Sequence, residues 1–315
     1  LLLQLVLPAT VNASYAERDD VKSFINDMIK KHHFDRNVLE QWFSEAKKLD
    51  GVLELISKPA ERTLSWKQYR PIFIKQKRIR MGKEFMRKHH DLLVRAEKST
   101  GVPANIIAAI IGVETYYGRH AGSIPVFDSL TTLGFDYPPR SRFFKNELEQ
   151  FLLLAREENI DVSSIRGSYA GAMGMPQFIS SSYRRYAVDF DGDGKRDLWN
   201  NTADVIGSVA NYFKVHGWQR GGYVIQRAKV SSRPSDATRK KLKPHTSIGE
   251  FRKLGVITDK LYADDVMATL ITLEGRNGTE YWFGLKNFYV ITRYNHSALY
   301  AMAVYELSQE LNSEL

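Results

Sequence analysis

GVPANIIAAIIGVETYYG, residues 101–118, is the stretch that decides how this chain is read. Pro103 suits the first turn of a helix and Gly118 its end, so the spacing predicts one helix between them. Ile107, Ile110 and Ile111 precede Glu114 by seven, four and three residues, which places all four on one side of that helix. A carboxylate among isoleucines is poorly solvated. Desolvation disfavours its charged form and raises its pKa, the condition a general acid needs near neutral pH. The competing reading is a glutamate at the edge of the stripe that reaches water or pairs with Arg119.

Composition bounds the class of protein. The chain has 315 residues, 43% hydrophobic and 26% charged, enough for a sizeable core and two or three subdomains. A formal charge of +9 suits an anionic or extended partner. Lys and Arg are spread along the chain, with a modest cluster at Lys75, Lys77, Arg78 and Arg80, and no nucleic-acid motif is present. Cysteine is absent, which removes disulfides, thiol nucleophiles, thiolate metal sites and a lipid-anchoring cysteine within this chain. LLLQLVL at residues 1–7, followed by Val11-Asn12-Ala13, reads as a truncated export signal over 1–13. No other segment is long and apolar enough to be predicted to span a bilayer.

Helical periodicity dominates from Tyr15 to about Arg95. FINDMIKKHHFDRNVLEQWFSEAKKL (24–49) has apolar residues at helical spacing, with His32 and His33 expected to be exposed rather than metal ligands. A helix is predicted from about Arg80 to Lys98, a strongly amphipathic one over 143–160, and another over 202–215. After Trp218 the character changes. GGYVIQRAKVS, GVIT, VMATLITLEG and TEYWFGLKNFYVIT are β-branched, aromatic and punctuated by turns, as short strands are. The expected fold is mainly α (α+β). Its segments are an N-terminal helical region (14–85), a core (86–218), a small antiparallel β subdomain (219–285) and a C-terminal return to the core (286–315), with helix expected over 296–311.

DFDGDGKRDLWN, from Asp189, fits the opening of an EF-hand loop. Asp189, Asp191 and Asp193 fall at positions 1, 3 and 5, Gly194 at the turn, and the Lys195 carbonyl at position 7. Asn200 stands where the loop usually has Glu, and Asp204 is placed to complete the shell. The spacing predicts structural Ca²⁺ and no organic cofactor. The glycine-rich run at 167–174 lacks phosphate-loop spacing and instead lets backbone approach a bulky ligand, with Ser168 and Gln177 as hydrogen-bonding groups. Tyr116, Tyr117, Phe178 and Tyr212 suit stacking on sugar rings.

GVPANIIAAIIGVETYYG, FDYPPRSRFF, GSYAGAMGMPQFISSSYRRYAVDFDGDG, DVIGSVANYFKVHGW and NFYVITRYNHSALYAMAV together resemble the membrane-bound lytic murein transglycosylase B family, from about Ser65 to the C-terminus. The resemblance implies a lysozyme-like helical core with an extra helical domain, a small β domain and an ion loop. It implies Glu114 as the sole catalytic acid/base. It further implies substrate contacts at Ser168, Gln177 and Phe178, and at Tyr69, Arg140, Tyr212, Tyr294, Asn295 and Tyr300. Pro139 stands where the family usually carries a second arginine. The substrate implied is the peptidoglycan glycan strand, with cell-wall synthesis proteins as candidate partners and the periplasm as the location. In that family the glutamate protonates the bond between N-acetylmuramic acid and N-acetylglucosamine, then deprotonates the muramoyl C6 hydroxyl to close a 1,6-anhydro ring. A hydrolytic muramidase and a non-catalytic peptidoglycan-binding scaffold remain the alternatives.

Overall fold

The computed structural model describes residues 14–57, 64–231 and 241–312; the apolar segment 1–13 lies outside them. The chain forms two compact units, each discontinuous in sequence: 1–57 with 124–171, and 58–123 with 172–315. The 86–218 stretch is therefore shared between the two.

In the first unit the helices Asp19–His32 and Arg36–Glu45 replace the single periodic run of the sequence. His33 takes a left-handed conformation (φ 57°), and the Asp35 carboxylate accepts the Val38 N–H at 3.1 Å to start the second helix. Val126–Asp136 packs against Ser141–Glu157. Phe24, Phe43 and Phe135 meet edge-on, with Phe43 and Phe135 6.2 Å apart. His32 is not the exposed residue its charged neighbours suggested. Its Nε2 lies 2.8 Å from the Glu149 carboxylate, a partner distant in sequence that local spacing does not reveal.

The second unit is built on Ala104–Thr115, against which Gln76–Lys88, His90–Thr100, Thr202–Val215 and Ala298–Asn312 pack. The region expected as one helix over Arg80–Lys98 is two, meeting at His89. The central helix is buried on every side rather than along a stripe. From Ile106 to Thr115, Glu114 alone is not buried. The isoleucine spacing therefore does not single out a face: Ile106, Ala108 and Ala109 are buried as well.

The small sheet in this unit runs, in spatial order, Thr246–Ser247, Met267–Gly275, Gly278–Gly284, Ile225–Val230 and Val256–Ile257, with every pairing antiparallel. Ala268 and Leu270 of Met267–Gly275 share one face of the strand and pack with Phe283, Ala228 and Val256, and the Ile248–Lys253 helix covers them through Ile248 and Phe251. NFYVIT, expected as a strand, belongs to the helix Lys286–Tyr294. Its β-branched and aromatic residues favour a strand by propensity, but packing wins. Phe288 and Ile291 lie on the buried face, and the Asn287 side chain accepts the Gln219 N–H and donates to the carbonyls of Gln219 and Gly222, each at 2.8 Å.

Candidate active site

The Glu114 helix ends abruptly. Tyr116 and Tyr117 both adopt left-handed backbone (φ 55° and 61°), and their N–H groups donate to the Gly112 and Ile111 carbonyls. Such geometry costs an L-residue about 1–2 kcal/mol each. Here it is held by packing. The Tyr117 ring lies 5.5 Å from Phe85, over Gly82 and Gly112, where an added Cβ would come within 2.2 and 2.5 Å of its hydroxyl. Gly112 is two residues from Glu114 and so on the opposite side of the helix. Tyr117, expected at the substrate, is therefore a wedge behind the helix, its hydroxyl buried with no partner among the described residues.

Glu114 itself is partly buried and accepts a hydrogen bond from the Tyr300 hydroxyl, while Arg119 is exposed. Burial, reinforced by the Glu114 charge, pushes the Tyr300 and Tyr294 phenols well above their ordinary range, so both remain protonated donors at neutral pH. Tyr294 stacks on Tyr300 with ring planes 10° apart, and its hydroxyl donates to the Pro176 carbonyl at 2.6 Å. Phe178 lies 5.8 Å from Tyr294 and 5.6 Å from Tyr212. The Tyr212 hydroxyl donates to the Arg293 carbonyl at 2.6 Å. Tyr69, on the helix Trp66–Phe73, is buried and adds to the field that raises Tyr300. Asn295, half-buried, caps the Lys286–Tyr294 helix.

Gln177 (φ 52°) donates through Nε2 to the carbonyls of Ala121 and Gly174, at 3.0 and 2.9 Å. Met173 and Phe178 bridge, which folds Gly174–Gln177 into a tight loop. That loop is pinned to the helix end because Thr115 Oγ1 donates to the Met175 carbonyl at 2.8 Å. Nine of the expected positions fall in one unit, Tyr117 and Asn295 among them, and the other seven, Tyr69, Glu114, Gln177, Phe178, Tyr212, Tyr294 and Tyr300, lie largely in one aromatic shell. Phe178, Tyr212, Tyr300 and Tyr69 are buried, so they build its wall. Ser168 and Arg140 belong to the first unit. Ser168 Oγ accepts the Ala170 N–H at 3.3 Å, and the Arg140 guanidinium lies 4.2 Å from the Phe143 ring centroid.

Three residues of the shell escaped the sequence. His216 stacks on Tyr212 at 4.1 Å, and Tyr186 packs edge-on against Tyr212 at 4.8 Å. Thr115 ties the helix to the loop. Of these, His216 carried a signal, being four residues after Tyr212 on one helix face.

The acidic loop converges as expected in part. Carboxylate oxygens of Asp189, Asp191 and Asp204 lie within 4.8 Å of one another. Asp204 is buried at the start of Thr202–Val215, and burial, with Asp191 and Asp189 nearby, raises its pKa although the Phe190 and Asp197 N–H groups hydrogen-bond to it. Asp193 is outside this trio, exposed, and accepts the Lys195 N–H at 2.9 Å. Three converging carboxylates are a hard-oxygen donor set of the kind Ca²⁺ takes. At the far side of the loop, Leu198 O accepts the Met175 N–H at 2.8 Å.

Comparison with known proteins agrees with this arrangement. The family described as Transglycosylase SLT domain matches residues 16–309. Membrane-bound lytic murein transglycosylase B of Escherichia coli K12 is 42% identical over 308 residues, 95% of this chain and 84% of that protein. Among solved structures, the catenated lytic transglycosylase SltB1 of Pseudomonas aeruginosa superposes with a TM-score of 0.91 at 50% identity, covering 95% of this chain and 98% of that one. Escherichia coli Slt35 in complex with calcium gives 0.88 at 43% identity, with 95% of each chain covered. SltB3 of Pseudomonas aeruginosa, bound to NAG-anhNAM-pentapeptide, gives 0.81 at 30% identity over 93% of this chain and 78% of that one. With its mainly helical, lysozyme-like fold and small antiparallel sheet, this chain belongs to the SLT transglycosylase family.

Proposed function

We propose that this protein is a peptidoglycan lytic transglycosylase in which Glu114 is the acid and then the base. Its carboxyl proton goes to the glycosidic oxygen as the bond from muramoyl C1 to that oxygen breaks. The resulting carboxylate takes the proton of the muramoyl C6 hydroxyl, whose oxygen bonds to C1 and closes the 1,6-anhydro ring. No water is consumed, so no second carboxylate is needed to activate one. The Tyr300 hydroxyl orients Glu114 through both proton transfers, and the aromatic shell keeps the carboxyl in a poorly solvated place.

The observation that carries this reading is a single partly exposed carboxyl at a strained helix end, held by a buried tyrosine. The next two acids along the chain after Glu114 are otherwise engaged in the first unit. Asp136 accepts from Arg18 Nη1 at 2.6 Å and from the Tyr15 hydroxyl, and Asp128 accepts the Lys47 N–H at 3.1 Å. Gln177, Asn295, Ser168 and Arg140 are the proposed polar contacts to the glycan, and Tyr69, Phe178, Tyr212 and Tyr294 shape its seat.

Asp189, Asp191 and Asp204 are the proposed ligands of a structural Ca²⁺ in an EF-hand-like loop, with Asp193 and the Lys195 carbonyl as further donors. The ion neutralises the carboxylates and fixes the loop. The periplasm is the proposed location, a reading supported by a glycan substrate of this class; no helix among the described residues is long and apolar enough to cross a membrane. Digestion of purified sacculi and mass spectrometry of the released ends test the reaction. Anhydro ends, one water lighter than reducing ends, are expected; predominantly reducing ends would make the protein a hydrolase.

A further inference from the structure

A cavity of about 310 Å³ lies wholly within the first unit, lined by the end of Arg36–Glu45 and by residues of the antiparallel pair Ile124–Pro125 and Arg166–Gly167. Its apolar wall includes Pro125, Phe127 and the indole of Trp42, which is only half-buried. Its polar groups are unspent and accessible. Asp128 Oδ1 accepts the Lys47 N–H at 3.1 Å, but Oδ2 has no partner among the described residues and is not enclosed. The Trp42 Nε1–H is in the same state. Arg166 is exposed and uses Nη1 alone, on the Ser163 and Ile165 carbonyls at 2.7 and 3.2 Å. The charges of the lining cancel, Asp128 and Glu45 against Lys47 and Arg166. A half-open indole beside a free carboxylate oxygen and a free guanidinium edge suits a neutral, hydroxyl-rich ligand with one apolar face. An acidic ligand suits it badly, because the open Asp128 oxygen repels it.

The chain itself ties the cavity to the glycan. Arg166 stands two residues before Ser168, a proposed glycan contact, and two residues of extended chain span about 7 Å. Resting on the assignment of the chain as a peptidoglycan transglycosylase, we propose that this cavity is a second saccharide site. It holds one N-acetylhexosamine unit of the glycan strand, stacked on Trp42 and hydrogen-bonded to Asp128 and Arg166. The site anchors the strand and takes no part in bond cleavage. Once a strand is held at one point, its second contact is intramolecular, so long strands bind more tightly than fragments too short to reach both.

The test measures dissociation constants for peptide-free glycan strands of graded length, in full-length protein carrying Glu114→Gln to prevent turnover. Affinity should rise with strand length. Adding Trp42→Ala or Asp128→Asn should cut that gain about three- to tenfold, as expected for one stacking contact or one hydrogen bond, and leave the shortest fragment least affected. Asp128→Asn keeps the Lys47 bond through its Oδ1, so it decides the matter if Trp42→Ala melts early. A gain with length that neither substitution reduces, or no gain at all, overturns the saccharide site. So does an equal loss on the shortest and longest strands, which would make the two residues structural. Binding at the cavity that appears only when the strands carry peptide also overturns it. A protein with Glu114 intact that binds the strands and cleaves none, peptide-bearing or not, would instead overturn the transglycosylase reading.

Discussion

Replacing Tyr300 with phenylalanine isolates the contact on which the proposed mechanism leans most. The ring stays: it is buried and stacks on Tyr294 with centroids 6.5 Å apart, and phenylalanine preserves both. What is lost is one hydrogen bond to the Glu114 carboxylate. A hydrogen bond to a charged group contributes about 1.5–3 kcal/mol net. If it acts by aiming the carboxyl in the transition state, kcat falls by roughly 10- to 150-fold at 1.36 kcal/mol per decade. KM should be nearly unchanged, because the hydroxyl is engaged with Glu114 rather than with the glycan. The assay is initial-rate release of muropeptides from sacculi, with Glu114→Gln, Tyr300→Phe and the double variant measured together. Since Tyr300 acts through Glu114, the second substitution should cost almost nothing once the first is made. A Tyr300→Phe enzyme within twofold of the parent, or an undiminished loss in the Glu114→Gln background, would refute the argument.

Glu114→Gln should fold normally and lose about 10²–10⁴-fold or more in activity, since the amide keeps the shape but cannot deliver a proton; circular dichroism and sacculus turnover check the two halves. Ca²⁺ at 100 times its dissociation constant should stabilise the parent by about 2.7 kcal/mol, whereas Asp191→Ala should melt at the same temperature with Ca²⁺ or chelator. His216 has its pKa lowered, chiefly by burial, so the unfolded chain takes up a proton there first as pH falls below about 6.5. The parent should therefore lose urea resistance between pH 7.5 and 5 by more than His216→Gln does. Gly174→Ala should destabilise by about 1–3 kcal/mol, because φ is 68° and the new Cβ would meet Leu198 O at 2.5 Å.

The sequence was most legible where local chemistry decides the outcome. Three aspartates at fixed spacing announce the acidic loop, and Asp204 joins Asp189 and Asp191 as the chain's reach suggested. The Thr202–Val215 helix also has the bounds its pattern gives. Legibility failed where distant packing overrides local preference. The β-branched run at 287–292 is a helix because Asn287 and Phe288 are fixed by residues of the Trp218–Gly222 turn and the sheet. The stacking role expected of Tyr117 could not be judged from GVETYYG. Two successive left-handed residues swing its ring behind the helix, and only the glycines at 82 and 112 leave room for it. Glu114 itself was found by an argument about a stripe, yet its helix has none; what marks it is being the one residue from Ile106 to Thr115 left partly open.

Acid–base chemistry by one carboxyl demands more of the scaffold than chemistry shared by two. In the proposed mechanism Glu114 must face the glycosidic oxygen and then the C6 hydroxyl, so small displacements would affect both steps. The scaffold answers with backbone rather than with long side chains. Met175 donates its N–H to Leu198 at the end of the acidic loop and accepts Thr115 Oγ1 on its carbonyl, each at 2.8 Å. The next carbonyl, that of Pro176, takes the Tyr294 hydroxyl at 2.6 Å. Three consecutive peptide units therefore tie together the acidic loop, the end of the Glu114 helix and the tyrosine stacked on Tyr300. Gly174 allows this closeness, since any Cβ there would strike Leu198. The acidic loop consequently has a mechanical route to Glu114. Loosening it should lower kcat through the position of Glu114, while the chemistry, read as anhydro ends, stays the same.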